Sequence, residues 1–421
     1  MDIKGIVALD DREAIMAGPG LPVSRSDPAK DQWDDRVLAR LRQAMADRDL
    51  DALLVVRAEN VCWLTHWWDH GQMTLMPSEE NAWVVVPREG EPFGLGTGAV
   101  SWGMEMPTRP NWLKQMYAFD MASFDGEAQP TCRLLKHQGL GKGRIGIEVE
   151  WMPYQYVRLL QEQLPEVEFD GSDAIFYQLR SEKSAFEIEI IRKAVGVFNE
   201  SLEVAVEHLS RNRDIERAMR VLSTEMAARN GRAAIVPTCQ QYGFGWLGED
   251  SQDGRIARDW FNAKTYDPET ELFRGDFCMT YEGYWVDLSL YEWINPDKAR
   301  SQRAQIHEQQ QRLDEMQLLM NRAIRPGMTG VEAERAIEQA QADTGMDFHY
   351  WFHSIGLNIH EQPIVGRGET ARSDVRYEVG VVACTEVFAE GILYEDMVHL
   401  TENGWTYLTT RRPFIRGDAA P

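Results

Sequence analysis

Cysteine is scarce in this chain. There are five in 421 residues (Cys62, Cys132, Cys239, Cys278 and Cys384), an odd number with no Cys-x-x-Cys pair. Such a set excludes a disulfide scaffold or a zinc knuckle and reads as reduced core thiols. Basic charge is short as well: 44 Lys+Arg stand against 67 Asp+Glu, a formal net charge of −23. Nucleic acid and anionic membrane surfaces both call for a basic face, so neither is expected as a partner. No window approaches the roughly 18 uninterrupted apolar residues of a membrane span. The opening MDIKGIVALDDREAIM carries acidic residues early and lacks the apolar stretch of a signal peptide, so a cytoplasmic location is expected. Histidine, finally, is absent between His208 and His307.

What remains is ordinary for a globular protein, with 43% hydrophobic and 26% charged residues. The length implies two domains. Residues 1–30 are rich in Pro, Gly and Asp and read as an extended arm. From Asp34 to Asp51 the spacing of Val37, Leu38, Leu41, Ala44 and Met45 is helical, followed by strands at 52–56, 82–86 and 144–150. Alternating strands and helices predict a small α/β domain over 1–177. A long helix over 179–209 opens the second domain, 178–421, with Ser184 and Glu187 placed as a capping box. Its predicted apolar stripe is Phe186, Ile190, Ala194, Val197 and Leu202. A helix over 213–229, strands at 233–237, 276–281 and 284–294, helices at 298–323 and 329–343, and strands at 380–388 and 391–401 complete the order. That order hints at two similar halves, a C-terminal domain of α+β class.

Three segments carry candidate chemistry. GDFCMTYEGYWVDLSLY (275–291) presents Asp287 on the second strand of a hairpin. FHSIGLNIHEQPIV (352–365) places His353 and His360 around a Gly-containing turn. VVACTEVFAEGILYEDMVHLTENGW (381–405) carries Glu386 and Glu395 on successive strands. An imidazole with several carboxylates on rigid strands suits a hard or borderline divalent ion such as Mn, Fe, Co or Zn. Singly these are weak signals, since a strand Asp or a lone His is more often a hydrogen-bonded residue than a ligand. Glu386 is harder to dismiss, because VVACTEVF otherwise reads as a buried strand.

Together these segments resemble the superfamily of creatinase, prolidase, aminopeptidase P and methionine aminopeptidase. Its members show Asp-x-Gly…Gly-Tyr-x-x-Asp, then His-Gly-x-Gly-x-x-x-His-Glu-x-Pro, then Glu-Pro-Gly, then Glu-Asp before Thr-Glu-x-Gly. Here stand Gly283-Tyr284-Trp285-Val286-Asp287, His353-Ser354-Ile355-Gly356-Leu357-Asn358-Ile359-His360-Glu361-Gln362-Pro363, Glu386, and Glu395-Asp396 followed by Thr401-Glu402-Asn403-Gly404. Lys183-Ser184 matches the family's approach to its catalytic domain. The resemblance implies a pita-bread C-terminal domain behind a smaller α/β creatinase-type domain, and a homodimer. It implies Asp287, His353, Glu386 and Glu395 as metal ligands, Glu386 also as catalytic base, and His360 as a catalytic histidine that contacts substrate.

There are departures. The first Asp of the family motif is expected on DFCMTY, but no Asp follows Asp276 before Asp287 and the hairpin connection is shortened, with Tyr281 or Glu282 in that neighbourhood. One divalent metal ion, or none, is therefore expected in place of two. The upstream histidine of the peptidases is replaced by PTCQQYGFGWLGED, the Arg two residues before Glu-Asp is Leu393, and Thr-Arg-Thr is Leu288-Ser289-Leu290. The implied function is a C–N hydrolase acting on a small polar or zwitterionic substrate, with a metal- or His-activated water. One alternative is a lyase of the dimethylsulfoniopropionate-cleaving type, whose Pro-Trp-Phe segment is similar to Asp259-Trp260-Phe261, but which lacks His-Glu-x-Pro. The other is a non-catalytic binding protein. Trp67 and Trp68 in HWWDHGQM, with Trp260, Tyr281 and Glu282, are the candidate substrate-binding residues, the aromatics suiting a cationic group.

Overall fold

The computed structural model describes residues 6–8, 28–65, 82–97, 112–113, 115–119, 128–229, 266–267, 271–366, 374–390 and 392–418. The chain divides into two compact units, Met1–Arg180 and Ser181–Pro421. Within the first, β1 (Ile6–Ala8), β2 (Ala52–Val55), β3 (Ala82–Pro87), β4 (Phe93–Thr97), β5 (Gln115–Phe119), β6 (Gly143–Ile147) and β7 (Val167–Gly171) form one sheet in the order β1-β5-β4-β3-β2-β6-β7. The helices of this unit are α1 (Pro28–Ala46), α2 (Ala58–Thr65), α3 (Ala128–His137), α4 (Tyr154–Gln163) and α5 (Asp173–Ser181). Strands 4 and 7 were not legible as strands, because FGLGT and VEFDG carry glycines and little β-branching.

The second unit opens on α6 (Ala185–Asn212). Ser184 caps it with the full reciprocal box, accepting from the Glu187 backbone while Glu187 accepts from the Ser184 backbone. The buried stripe of α6 differs from the sequence expectation. Ile191, Ala194, Val195, Phe198 and Leu202 face inward, while Phe186 and Val197 are only half-buried. Next come α7 (Ile215–Arg229), β8 (Tyr266–Asp267), and the long hairpin of β9 (Leu272–Tyr281) and β10 (Tyr284–Trp293), which with β8 form a sheet in the order β10-β9-β8. The strand expected at 233–237 falls outside the described residues.

The short α8 (Pro296–Ala299) leads to α9 (Arg303–Ala323) and α10 (Gly330–Thr344), and the chain closes with a second sheet in the order β12-β11-β13-β14-β15. Its strands are β11 (His349–Ser354), β12 (Glu361–Gly366), β13 (Val382–Ala389), β14 (Ile392–Thr401) and β15 (Gly404–Tyr407). Strand alternation gives this sheet two unlike faces. Phe352, Ala383, Val387, Tyr394 and Val398 point back into a core completed by Leu313, Met320, Ile337 and Phe414. The other face carries Trp351, His353, Cys384, Glu386 and Glu395. The β10 strand lies against this sheet, with the Glu395 backbone N–H donating to Ser289 Oγ at 2.8 Å and the Trp285 N–H to the Gly356 carbonyl at 2.8 Å.

Candidate metal centre

Register assembles the site. His353 on β11 stands directly opposite Cys384 on β13, and Trp351 stands opposite Glu386. Glu386 in turn faces Glu395 on β14. Directly opposed residues project from one face, so these side chains share a single surface. Asp287 reaches the same group from β10, where its register partner is Cys278. Asp287, His353, Cys384 and Glu395 are all buried, and each offers a ligand atom within 4.8 Å of the others. Glu386, expected among the ligands, is not in that mutual group. It meets the cluster through His353, whose Nε2 lies 2.9 Å from Glu386 Oε1.

The imidazole narrows what this group of side chains can hold. His353 Nδ1 lies 3.1 Å from the Ser354 carbonyl oxygen, which can only accept, so Nδ1 carries the hydrogen. Burial pushes the His353 pKa down to about 4, so the ring is neutral and Nε2 presents a lone pair. That lone pair and a carboxylate oxygen face one another at hydrogen-bond distance. A proton or a shared cation reconciles them, and the second carboxylate and Asp287 close by favour a divalent cation. A bulge in the β11–β12 pairing falls between His353 and Ser354. The donors present therefore fit a divalent ion.

Around the cluster, the helix start and the histidine turn are locked together. Lys183, which precedes α6, is buried with Glu361 at 2.9 Å. Glu361 Oε1 also accepts from the Asn358 backbone N–H at 2.9 Å. A Cβ at Gly356 would come within 2.8 Å of both Glu361 Oε2 and Lys183 Cε, which explains a glycine at that position. His360 is exposed, yet its ring packs at 4.6 Å on Trp351 and at 4.6 Å on His353. Loss of hydration in this crowd, followed by the neighbouring His353, lowers its pKa to about 3.

Other sequence candidates land elsewhere. Glu282 and Gly283 form the two-residue hairpin turn with φ of 48° and 85°. Glu282 is exposed there, and Tyr281 pairs with Tyr284 about 10 Å along the strand from Asp287. Neither takes the place of a missing carboxylate. Trp67, Trp68 and Trp260 lie outside the described residues.

Two residues were passed over by sequence reasoning. Cys384 sits two positions before Glu386 on the same strand, and that alternation was the available signal. Asp276 is the other: Asp276-Phe277-Cys278 reads as the Asp-x-Gly opening of the motif with Cys in the glycine position. The register sets Asp276 opposite Ser289 and Cys278 opposite Asp287 on one uninterrupted hairpin, whereas the hairpin was expected to be shortened.

The Creatinase/Prolidase N-terminal domain matches residues 38–181, and Metallopeptidase family M24 matches residues 189–402. The Xaa-Pro dipeptidase of Pyrococcus horikoshii is 25% identical over 287 residues, covering 64% of this chain and 74% of that protein. Among solved structures, the prolidase from Pyrococcus horikoshii OT3 superposes with a TM-score of 0.62 at 20% identity, covering 90% of this chain and 100% of that one. Dipeptidase PepE from Mycobacterium ulcerans does so with a TM-score of 0.64 at 20% identity, covering 93% and 99%. At such identities the structural likeness carries the fold.

Proposed function

The chain belongs to metallopeptidase family M24, a family of hydrolases, and on that premise we propose that it hydrolyses a C–N bond in a small polar or zwitterionic substrate, Xaa-Pro dipeptides first among the candidates. The observation that carries the proposal is the His353 lone pair set 2.9 Å from Glu386 among further buried carboxylates. Asp287, His353 and Glu395 would hold a divalent ion, with Glu386 beside them. Such an ion, when bound, supplies Lewis acidity and a water of lowered pKa.

The chain's own groups do the rest. Ser354 fixes the tautomer of His353 through Nδ1–H, which keeps Nε2 directed into the cluster. Glu386 takes the proton of the attacking water. His360, neutral and at the edge of the site, donates a hydrogen bond to the oxyanion that forms at the scissile carbonyl. The Lys183–Glu361 pair and Gly356 hold the turn that carries His360. Retention of His360-Glu361-Gln362-Pro363 favours hydrolysis, and nothing among the described residues favours the lyase or the binding-protein reading.

The number of ions is part of the proposal. With Asp276 left aside, the ligands suit one. A lower metal content in Asp276→Asn than in wild type would raise that number to two. We extend the same reading to a homodimer in the cytoplasm, tested by light scattering and cell fractionation. The direct test is release of free amino acid from a panel of Xaa-Pro dipeptides, creatine-like compounds and ectoines by the purified protein. Turnover of at least one that is abolished by a chelator is expected. Turnover unaffected by a chelator and by His360→Ala would sink the proposal.

A further inference from the structure

Cys384 is not packed as a bystander. It is fully buried, on the ligand face of the sheet, directly opposite His353 in the β11–β13 register. Its Sγ belongs to the mutual group with Asp287, His353 and Glu395, all ligand atoms lying within 4.8 Å of one another, a place that Glu386 does not take. The thiol donates to the Asp287 main-chain carbonyl at 3.7 Å, a weak contact for an S–H donor. A small hydrophobe would fill that space as well, but it would set no donor atom among two carboxylates and an imidazole.

We propose that Cys384 is a metal ligand, its sulfur joining Asp287, His353 and Glu395 in an N/O/O/S donor set that selects a borderline ion such as Zn or Co over Mn or Mg. The inference rests on the metal-site reading of this face and goes beyond it by naming a sulfur donor. On binding, the Cys384 S–H bond breaks, the proton passes to solvent, and the thiolate lone pair forms the bond to the ion. Thiolate coordination is favoured by softer ions, whereas carboxylates alone suit Mn and Mg.

Cobalt titration of the metal-stripped full-length protein tests this without reference to activity. In wild type, one equivalent of Co(II) should produce a sulfur-to-cobalt charge-transfer band in the near ultraviolet. Cys384→Ser should bind Co(II) without that band, and Cys278→Ser, whose thiol donates to Asp287 Oδ1 at 3.1 Å, should keep it. The preference for Cd(II) over Mn(II) should fall by about tenfold or more in Cys384→Ser. A wild-type complex lacking the band, or the same band in Cys384→Ser, overturns the sulfur ligand while leaving the metal site standing. Should Cys384→Ser fail to fold, as read by near-ultraviolet circular dichroism, the wild-type band and its retention in Cys278→Ser decide the matter. Failure of wild type to bind any Co(II) instead removes the metal-site reading itself.

Discussion

On the back of the β13–β14 pair, Asp396 accepts a hydrogen bond from Thr409 Oγ1 at 2.6 Å. Behind it, Asp314 on α9 pairs with Arg411 at 2.9 Å and accepts from the Tyr394 hydroxyl at 2.6 Å. Gln317 donates to the Thr385 carbonyl at 2.9 Å, and Asn321 Oδ1 accepts from the Thr385 hydroxyl at 2.9 Å. Even with such partners, burial holds the Asp396 pKa up at about 6. One residue along each strand the faces change. On the front, Glu386 and Glu395 oppose one another, and the group beside them is a neutral imidazole offering a lone pair. The back face satisfies its carboxylates with hydroxyls and a guanidinium from the chain. The front gathers acceptors around a common point. On the proposed reading, the difference separates a structural polar network from a binding site: both are buried, and the second has the donors to take a cation from outside.

Breaking the front face should give the largest effect. His353→Ala is expected to lower kcat/KM on a Xaa-Pro dipeptide by roughly a thousandfold, about 4 kcal/mol, with bound metal lost in parallel by elemental analysis. The back face should respond in the other observable. Arg411→Met leaves Asp314 buried without its guanidinium, which is expected to cost about 3 kcal/mol in urea unfolding while metal content per folded chain stays unchanged. A sharper contrast comes from Glu395→Gln, which removes one of the crowded front charges. In chelator this variant should unfold at slightly higher denaturant than wild type, by about 1 kcal/mol. With metal added, only wild type should gain stability. The smallest effect belongs to a site on neither face: Ser184→Ala, which deletes the cap of α6, should cost about 1 kcal/mol in the same unfolding assay and leave activity alone.

Much of this contrast was legible in the sequence where it rests on local order. The capping box at Ser184 and Glu187, the hairpin 276–294 and the strands around Glu386 and Glu395 follow from spacing and side-chain type. His353 and Asp287 came from motif order. What was not legible depends on pairing between strands. Strands β11 and β12 read as a turn region, because HYWFHS and EQPIVG show no clean alternation, and Pro363 is tolerated only because β12 lies at the edge of its sheet. Cys384 was taken for a core thiol, since nothing local says that its cross-strand neighbour is His353. Asp276 was set aside because a shortened hairpin was expected, and only the ten-residue strands in continuous register restore it to the hairpin that carries Asp287. The four described cysteines are all buried, and two of them, Cys278 and Cys384, lie against Asp287.

That the front face binds a divalent ion is tested most directly by equilibrium dialysis of the metal-stripped protein against Zn(II) or Co(II). At least one saturable equivalent per chain is expected for wild type and for Arg411→Met, and none of comparable affinity for His353→Ala. Absence of a saturable equivalent in wild type, or equal binding by His353→Ala, would contradict it.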